Sequence, residues 1–63
     1  MSKFLGLPDV IARTTLSRSN IYLRMDRGDF PKPVKLGERK VAWLESDIDT
    51  WMADKVAAQR AAS

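Results

Sequence analysis

The basic side chains of this 63-residue chain are concentrated in its middle third. Residues 18–40 hold seven basic and three acidic side chains, a local charge of +4, whereas residues 41–63 hold two basic and four acidic, a local charge of −2. Clustered Lys and Arg bind phosphate oxygens and release counterions from a nucleic-acid backbone. The segment is therefore a candidate for binding DNA. The alternative is a charged face that only keeps the protein hydrated.

The other polar residues give little basis for catalysis. The chain has no Cys and no His, which removes thiolate and imidazole bases, nucleophiles and metal ligands. Asp47, Asp49 and Asp54 form an acidic cluster, but a chain this short has little room for the cleft that paired catalytic carboxylates need. Carboxylates early in a helix are also explained by the helix dipole. We expect no enzyme activity, no metal and no cofactor.

The sequence predicts a cytoplasmic, nucleoid-associated protein that does not bind membranes. The apolar stretch over residues 4–7 is too short for a signal-peptide core, and no segment approaches membrane-spanning length. The absence of Cys suits a reducing compartment.

A helix is predicted over residues 17–27. A Ser17 side chain can accept a hydrogen bond from an amide in the first turn, which marks the start of a helix. Gly28 should end the helix because glycine adopts the left-handed conformation at little steric cost. Pro31 and Pro33 cannot continue helical hydrogen bonding. Residues 31–33 should be extended, because each proline disfavours a helical conformation in the residue before it. Phe30 should fold back onto the core.

Two short helices joined by a tight turn are predicted from the first half of the chain. The first begins near Pro8 and ends near Arg13 or Thr14, and a turn over residues 14–15 connects it to the helix at 17–27. On that second helix, Ile21 and Met25 define the buried side, with Leu23 opposite. This is the helix-turn-helix pattern, in which the start of the second helix meets base edges.

A β-hairpin is predicted over residues 34–43. Val34 and Leu36 alternate with Lys35, and Val41 and Trp43 alternate in the same way, which predicts one apolar inner face, with a tip over residues 37–40. With basic residues outward and at the tip, the hairpin could lie along a phosphate strand as a wing. The alternative is a flap that only covers the core. Two strands are marginal in water, so the hairpin must pack against the helices.

The last helix should begin near Glu45 or Ser46 and run toward Arg60. Its apolar stripe at helical spacing predicts core packing, and Trp43 is also expected in the core. The stripe consists of Ile48, Trp51, Met52 and Val56. The whole chain, 1–63, is expected to form one domain, mainly α with three helices and a two-stranded wing. Residues 1–4 and 61–63 are expected to fray.

Several motifs together resemble the AlpA family of small phage and prophage regulators. They are L-P-D-V-I-A-R-T, L-S-R-S-N-I-Y, R-G-D-F-P-K-P-V-K-L-G-E-R and V-A-W-L-E-S-D-I-D-T-W, and they cover residues 7–51. The segment F-P-K-P-V-K-L-G, followed by an Arg and then by W-L-E-S-D-I, is specific in combination. Leu44 departs from related MerR-type domains, which usually have a helix-capping Ser or Thr at this position.

The resemblance implies a winged helix-turn-helix fold related to MerR-type domains and small excisionases. It implies a transcriptional regulator of integrase or other prophage genes, and similar proteins serve as recombination directionality factors. It also implies that Ser17, Arg18, Ser19 and Tyr22 lie in the reading helix and that basic residues lie in the wing. The resemblance and the charge and helix-face patterns together give the candidate DNA contacts, which are Ser17, Arg18, Ser19, Asn20, Tyr22, Leu23, Arg24, Arg27, Lys35, Arg39 and Lys40.

Double-stranded DNA is therefore the expected partner. Arg18 is the main candidate for base contact, and Leu23 could meet a thymine methyl, or else the hairpin or a neighbouring protomer. Because a single small module buries little area on DNA, we expect cooperative self-association on DNA, or added contacts from an integrase or RNA polymerase. An excisionase acting with an integrase is the first alternative. A protein-interaction module that binds an acidic partner is the second.

Overall fold

A computed structural model describes residues 3–62. Its elements in chain order are β1 (Phe4–Leu5), α1 (Leu7–Thr14), α2 (Arg18–Asp26), β2 (Val34–Lys35), β3 (Val41–Leu44) and α3 (Glu45–Ala62). The three predicted helices are confirmed, and the fold is mainly α with a small antiparallel sheet. Residues 1, 2 and 63, which were expected to fray, lie outside the described range.

The signals that bound the first two helices act as predicted. Pro8 lies in the first turn of α1, where its missing N–H breaks no helical hydrogen bond. The Ser17 side chain caps α2 by accepting a hydrogen bond from the backbone N–H of Asn20 at 3.1 Å. Gly28 follows α2 with a φ of +75°, the left-handed conformation expected of a helix-ending glycine.

The sheet has three strands, in the order β1–β3–β2, and not the two predicted. Phe4 pairs with Leu44 and Leu5 with Trp43, so the expectation that the chain frays as far as residue 4 is wrong at Phe4. The Glu45 N–H continues this contact by donating to the Lys3 carbonyl at 2.8 Å. A two-stranded hairpin leaves the backbone groups of one β3 edge unpaired, and the extended segment before α1 pairs with them.

The hairpin register differs from the predicted one by one residue. Val34 pairs with Ala42, so these two residues share a face, while Val41 and Trp43 point to the other. The expectation that Val34 and Leu36 form one inner face with Val41 and Trp43 is therefore wrong. Only Trp43 of these four is buried. Alternation within each strand is visible in the sequence, but it does not determine how the two strands align.

One small core joins every element except β2. It is built from Leu5, Val10, Ile21, Phe30, Trp43 and Ile48, each at most 6% exposed. Ile21 is fully buried and Met25 packs beside the core, which confirms the predicted buried side of α2. Trp43 is also fully buried, and its indole N–H donates to the Pro31 carbonyl at 2.9 Å.

Helix α3 packs on the core through its first half only. Ile48 is buried and Trp51 and Met52 pack against the core, as predicted, but Val56 is 48% exposed. The expected stripe therefore ends one turn early, because a core this small is already covered. The helix nevertheless continues to Ala62 through residues of high helix propensity, where fraying was expected. None of the helices within residues 3–62 is both long and apolar enough to cross a bilayer.

The acidic first turns of α3 bind α1. The Arg13 guanidinium donates to the carboxylates of Glu45 and Asp49, the latter at 3.0 Å. Both carboxylates also lie near the positive end of the helix dipole. The contacts with Arg13 and the helix dipole together explain the placement of Glu45 and Asp49.

Thr15, in the turn between α1 and α2, should be a site where stability can be gained. It has a φ of +61°, and a β-branched residue in this region is strained by about 1–3 kcal/mol. Thr15→Gly removes the strain but adds chain entropy to the unfolded state, at a cost of about 0.5–1 kcal/mol. We expect a net gain of about 1 kcal/mol, which thermal unfolding would report as a rise in Tm of about 4–8 °C.

Gly28→Ala is the matched control. Gly28 also has a positive φ, but here the substitution adds a Cβ instead of removing one, so the change in stability should have the opposite sign. A Cβ at this position would meet no atom within 4 Å, so only conformational strain opposes it. We expect this variant to lose about 1 kcal/mol. A loss of stability in Thr15→Gly would contradict the assignment of strain to this turn.

Candidate nucleic-acid interface

The start of α2 presents its polar side chains to solvent. Ile21 points into the core, so the first-turn side chains and Leu23 point away from it, and Leu23 is 49% exposed. The predicted contacts of this helix that are exposed are Ser17, Arg18, Ser19, Asn20, Tyr22, Leu23 and Arg27. These side chains surround the N-terminal end of α2, where the Ser17 side chain already accepts a hydrogen bond from the backbone N–H of Asn20.

Arg18 and Tyr22 form one edge of this exposed surface. The Arg18 guanidinium carbon lies 5.9 Å from the centre of the Tyr22 ring, within cation–π range. Tyr22 also lines a shallow groove between α2 and the proline segment, together with Lys32 and Pro33. The groove continues the surface from α2 to the segment that leads into the hairpin.

The end of α2 is a Schellman turn built around Gly28. The Gly28 N–H donates to the Met25 carbonyl at 3.1 Å, and the Asp29 N–H donates to the Arg24 carbonyl at 2.8 Å. This geometry brings the residues at the two ends of the turn together, usually through an apolar contact. Here the contact is ionic, because the Asp29 carboxylate accepts a hydrogen bond from Arg24 at 2.9 Å.

Asp29 also fastens this turn to α3. Its carboxylate accepts from the Lys55 ammonium at 2.6 Å, and its backbone carbonyl accepts from the Trp51 indole N–H at 2.9 Å. The hydrogen bond from Lys55 lowers the pKa of the Asp29 carboxyl below its ordinary value, and Arg24 contributes to the same shift. Phe30 follows and packs edge-on against Trp51, with ring centres 4.9 Å apart.

Arg24, a predicted DNA contact, is turned along the protein surface. Its Nε donates to the Asn20 side-chain oxygen at 2.9 Å while its terminal nitrogen holds Asp29. Its guanidinium carbon lies 5.7 Å from the centre of the Trp51 ring. Arg24 therefore connects Asp29, just after α2, to Asn20 in the first turn of the same helix. Asn20 is exposed to solvent.

The hairpin brings the predicted basic residues around its tip. The N–H groups of Leu36 and Gly37 both donate to the Lys40 carbonyl, at 2.8 and 3.2 Å, which closes a short loop containing Arg39. Lys35 pairs with Val41 and so lies on the same sheet face as Val41 and Trp43, which shows that the expectation of Lys35 on the face opposite these residues is wrong. Lys35, Arg39 and Lys40 are all exposed.

Three residues near this surface were not predicted as part of a site. Asp29 pairs with Arg24, Lys55 pairs with Asp29, and Lys32 lies beside Tyr22 in the groove. A helix-ending glycine with an Arg four residues before it and an Asp immediately after it is a signal for the Arg24–Asp29 pair. The contact of Lys55 depends on how α3 crosses α2 and has no local signal.

Two short helices joined by a turn, with an exposed polar start to the second and a small antiparallel sheet beside them, are compatible with a small DNA-binding domain. The sequence model of the family described as "Prophage CP4-57 regulatory protein (AlpA)" matches residues 3–56. The chain belongs to this family, which confirms the resemblance seen in the sequence motifs.

Two relatives extend this comparison. The chain is 43% identical over 58 residues to "Uncharacterized protein ORF88" of Enterobacteria phage P4, which covers 92% of this chain. It is 37% identical over 59 residues to "DNA-binding transcriptional activator AlpA" of Escherichia coli (strain K12), which covers 84% of this chain. The chain spans 66% of the length of the phage P4 protein and 84% of the length of the E. coli protein.

The Asp29 contacts should give the protein a specific pH dependence of stability. Because the folded-state pKa is lowered, this stabilisation is present above the ordinary Asp pKa and is lost as pH falls through the lowered value. Asp29→Asn should therefore melt below the wild type at pH 7. The difference in Tm should disappear as pH falls, roughly between pH 5 and pH 2.

Asp26→Asn is the control for this prediction, because Asp26 is exposed at the end of the same helix. No ion pair of Asp26 is found within residues 3–62. We expect this variant to show no comparable loss at pH 7. Identical pH profiles for the two variants would contradict the structural role of Asp29.

Proposed function

We propose that this protein is a sequence-specific DNA-binding transcriptional regulator with a winged helix-turn-helix architecture. In this proposal α2 docks in the major groove and the hairpin lies along the phosphate backbone. The single observation that carries it is the exposed first turn of α2, which holds Arg18, Ser19 and Asn20 outward while Ile21 anchors the helix in the core. Residues at the start of the second helix are the ones that meet base edges in this class.

The chemistry of the exposed side chains suits this role. Arg18 can give two hydrogen bonds to a guanine edge, the commonest specific contact in the major groove. Leu23 is large, apolar and 49% exposed, which suits contact with a thymine methyl group. Ser17, Tyr22 and Arg27 lie beside these residues as candidates for phosphate contact.

The hairpin supplies the second half of the proposed interface. Three basic side chains are exposed around its tip: Lys35, Arg39 and Lys40. Glu38 is the one carboxylate within residues 34–43, so the hairpin has a net positive charge that attracts a phosphate strand. Contacts of this kind raise the affinity for every DNA sequence and position the reading helix.

Family membership supports the same function. The E. coli relative is described as a DNA-binding transcriptional activator, and its similarity covers 84% of this chain. A module of this size buries about 600–1,000 Å² on DNA, at the low end for a specific complex. We therefore propose that copies at neighbouring sites, an integrase or RNA polymerase add further contacts.

Substitutions in α2 and in the hairpin should affect binding differently. Arg18→Ala should lower the affinity for the preferred site and reduce discrimination at one base pair by about 1–3 kcal/mol. Arg39→Gln should weaken binding to all duplexes alike and reduce the slope of log affinity against log salt concentration by about 1. Fluorescence anisotropy with a preferred and a scrambled duplex at several salt concentrations measures both effects.

Arg60→Gln is the matched control for Arg39→Gln, since it removes the same charge from the last turn of α3. It should leave the salt slope nearly unchanged. Equal affinity of the wild type for preferred and scrambled duplexes would argue against sequence-specific binding and in favour of an acidic protein partner.

Footprinting on the DNA around the protein's own gene separates regulation from recombination. Both functions use the same fold and differ in where the bound sites lie. Protection at a promoter is the expected result. Protection confined to the arms of a recombination site would instead favour an excisionase that acts with an integrase.

A further inference from the structure

The contacts of Arg24 assign a role to Asn20 within the proposed function. We infer that Asn20 reads a hydrogen-bond acceptor on a base with its side-chain nitrogen, and that Arg24 is the positioning residue that fixes this orientation. The inference rests on the proposed DNA binding, and it adds which residue reads, with which atom, and which kind of base edge it takes.

The orientation of the Asn20 amide follows from the chemistry of its partner. The guanidinium of Arg24 carries only donors, so its Nε can pair with the Asn20 oxygen and never with the nitrogen. The Nε–Oδ1 distance is 2.9 Å. The oxygen is therefore engaged along the helix surface, and the two N–H groups of the amide are left to point away from Arg24.

Arg24 can hold this orientation because it is itself held. Its terminal nitrogen donates to one Asp29 oxygen at 2.9 Å, and Lys55 donates to the other at 2.6 Å. Asp29 is further fixed by its place in the Schellman turn and by the indole of Trp51. A chain of direct contacts thus runs from α3 through Asp29 and Arg24 to an exposed side chain in the first turn of α2.

The position and the free donors of Asn20 together define what it can read. An asparagine that pairs with adenine uses both its oxygen and its nitrogen, but here one of the two lone pairs of the oxygen already accepts from Arg24, which turns the oxygen along the helix. A free amide nitrogen donates instead to an acceptor in the major groove, which is O6 or N7 of guanine, N7 of adenine or O4 of thymine. We therefore expect Asn20 to favour a base with such an acceptor and to disfavour cytosine, whose N4 is a donor.

The decisive experiment is a binding profile in which every base pair of the preferred duplex is substituted in turn. Asn20→Ala should flatten the preference at one base pair, by about fivefold in relative affinity. Arg24→Lys keeps the charge but replaces the rigid guanidinium, which bonds Asn20 and Asp29 through two different nitrogens, with a single ammonium on a flexible chain, so it should flatten the preference at the same base pair. Asn20→Asp keeps the bond to Arg24 but presents an acceptor, so it should shift the preference at that base pair toward cytosine.

Asp26→Asn is the matched control, and it should not change the profile at the base pair assigned to Asn20. An unchanged profile in Asn20→Ala, or a change in Arg24→Lys at a different base pair, would overturn the inference while leaving the proposed function intact. A wild-type protein without preference at any base pair would overturn both. Circular dichroism melting of each variant shows that a flattened profile does not arise from unfolding.

Discussion

The left-handed turn at Gly28 is the constraint on which the rest of this small protein depends. It ends α2, returns Asp29 to Arg24, and sends Phe30 into the core against Trp51. The carbonyl of Asp29 accepts from the Trp51 indole, and its carboxylate accepts from Lys55, so one turn fastens α2 to α3. Because the sequence has no Cys to form a disulfide and a chain of this length has a small core, contacts that converge on one turn matter more to its stability.

The small number of buried residues also explains which surfaces remain exposed to solvent. Almost every element contributes one well-buried side chain, such as Val10 from α1, Ile21 from α2 and Ile48 from α3. A helix anchored by a single fully buried residue can expose most of its circumference. The polar first turn of α2 and the basic tip of the hairpin are therefore both accessible, and the strong packing lies behind them.

Local signals predicted the parts of the fold that depend on neighbouring residues. The Ser17 cap, the Gly28 turn and the buried Ile21 were all predictable, because each is determined within a few positions. The hairpin register and the third strand were not, because they depend on pairing between distant segments. For the same reason the exposed residues of α2 could be named as a candidate site, but the link from Lys55 through Asp29 to Arg24 could not.

We propose that the first turn of α2 and the hairpin tip together form a DNA-binding surface. This surface can be mapped by NMR titration of the ¹⁵N-labelled protein with a duplex that carries its preferred site, because each backbone amide reports on its own surroundings. We expect the largest chemical-shift changes within residues 17–24 and 35–40. Changes concentrated in residues 53–62 of α3, with those two segments unaffected, would contradict it.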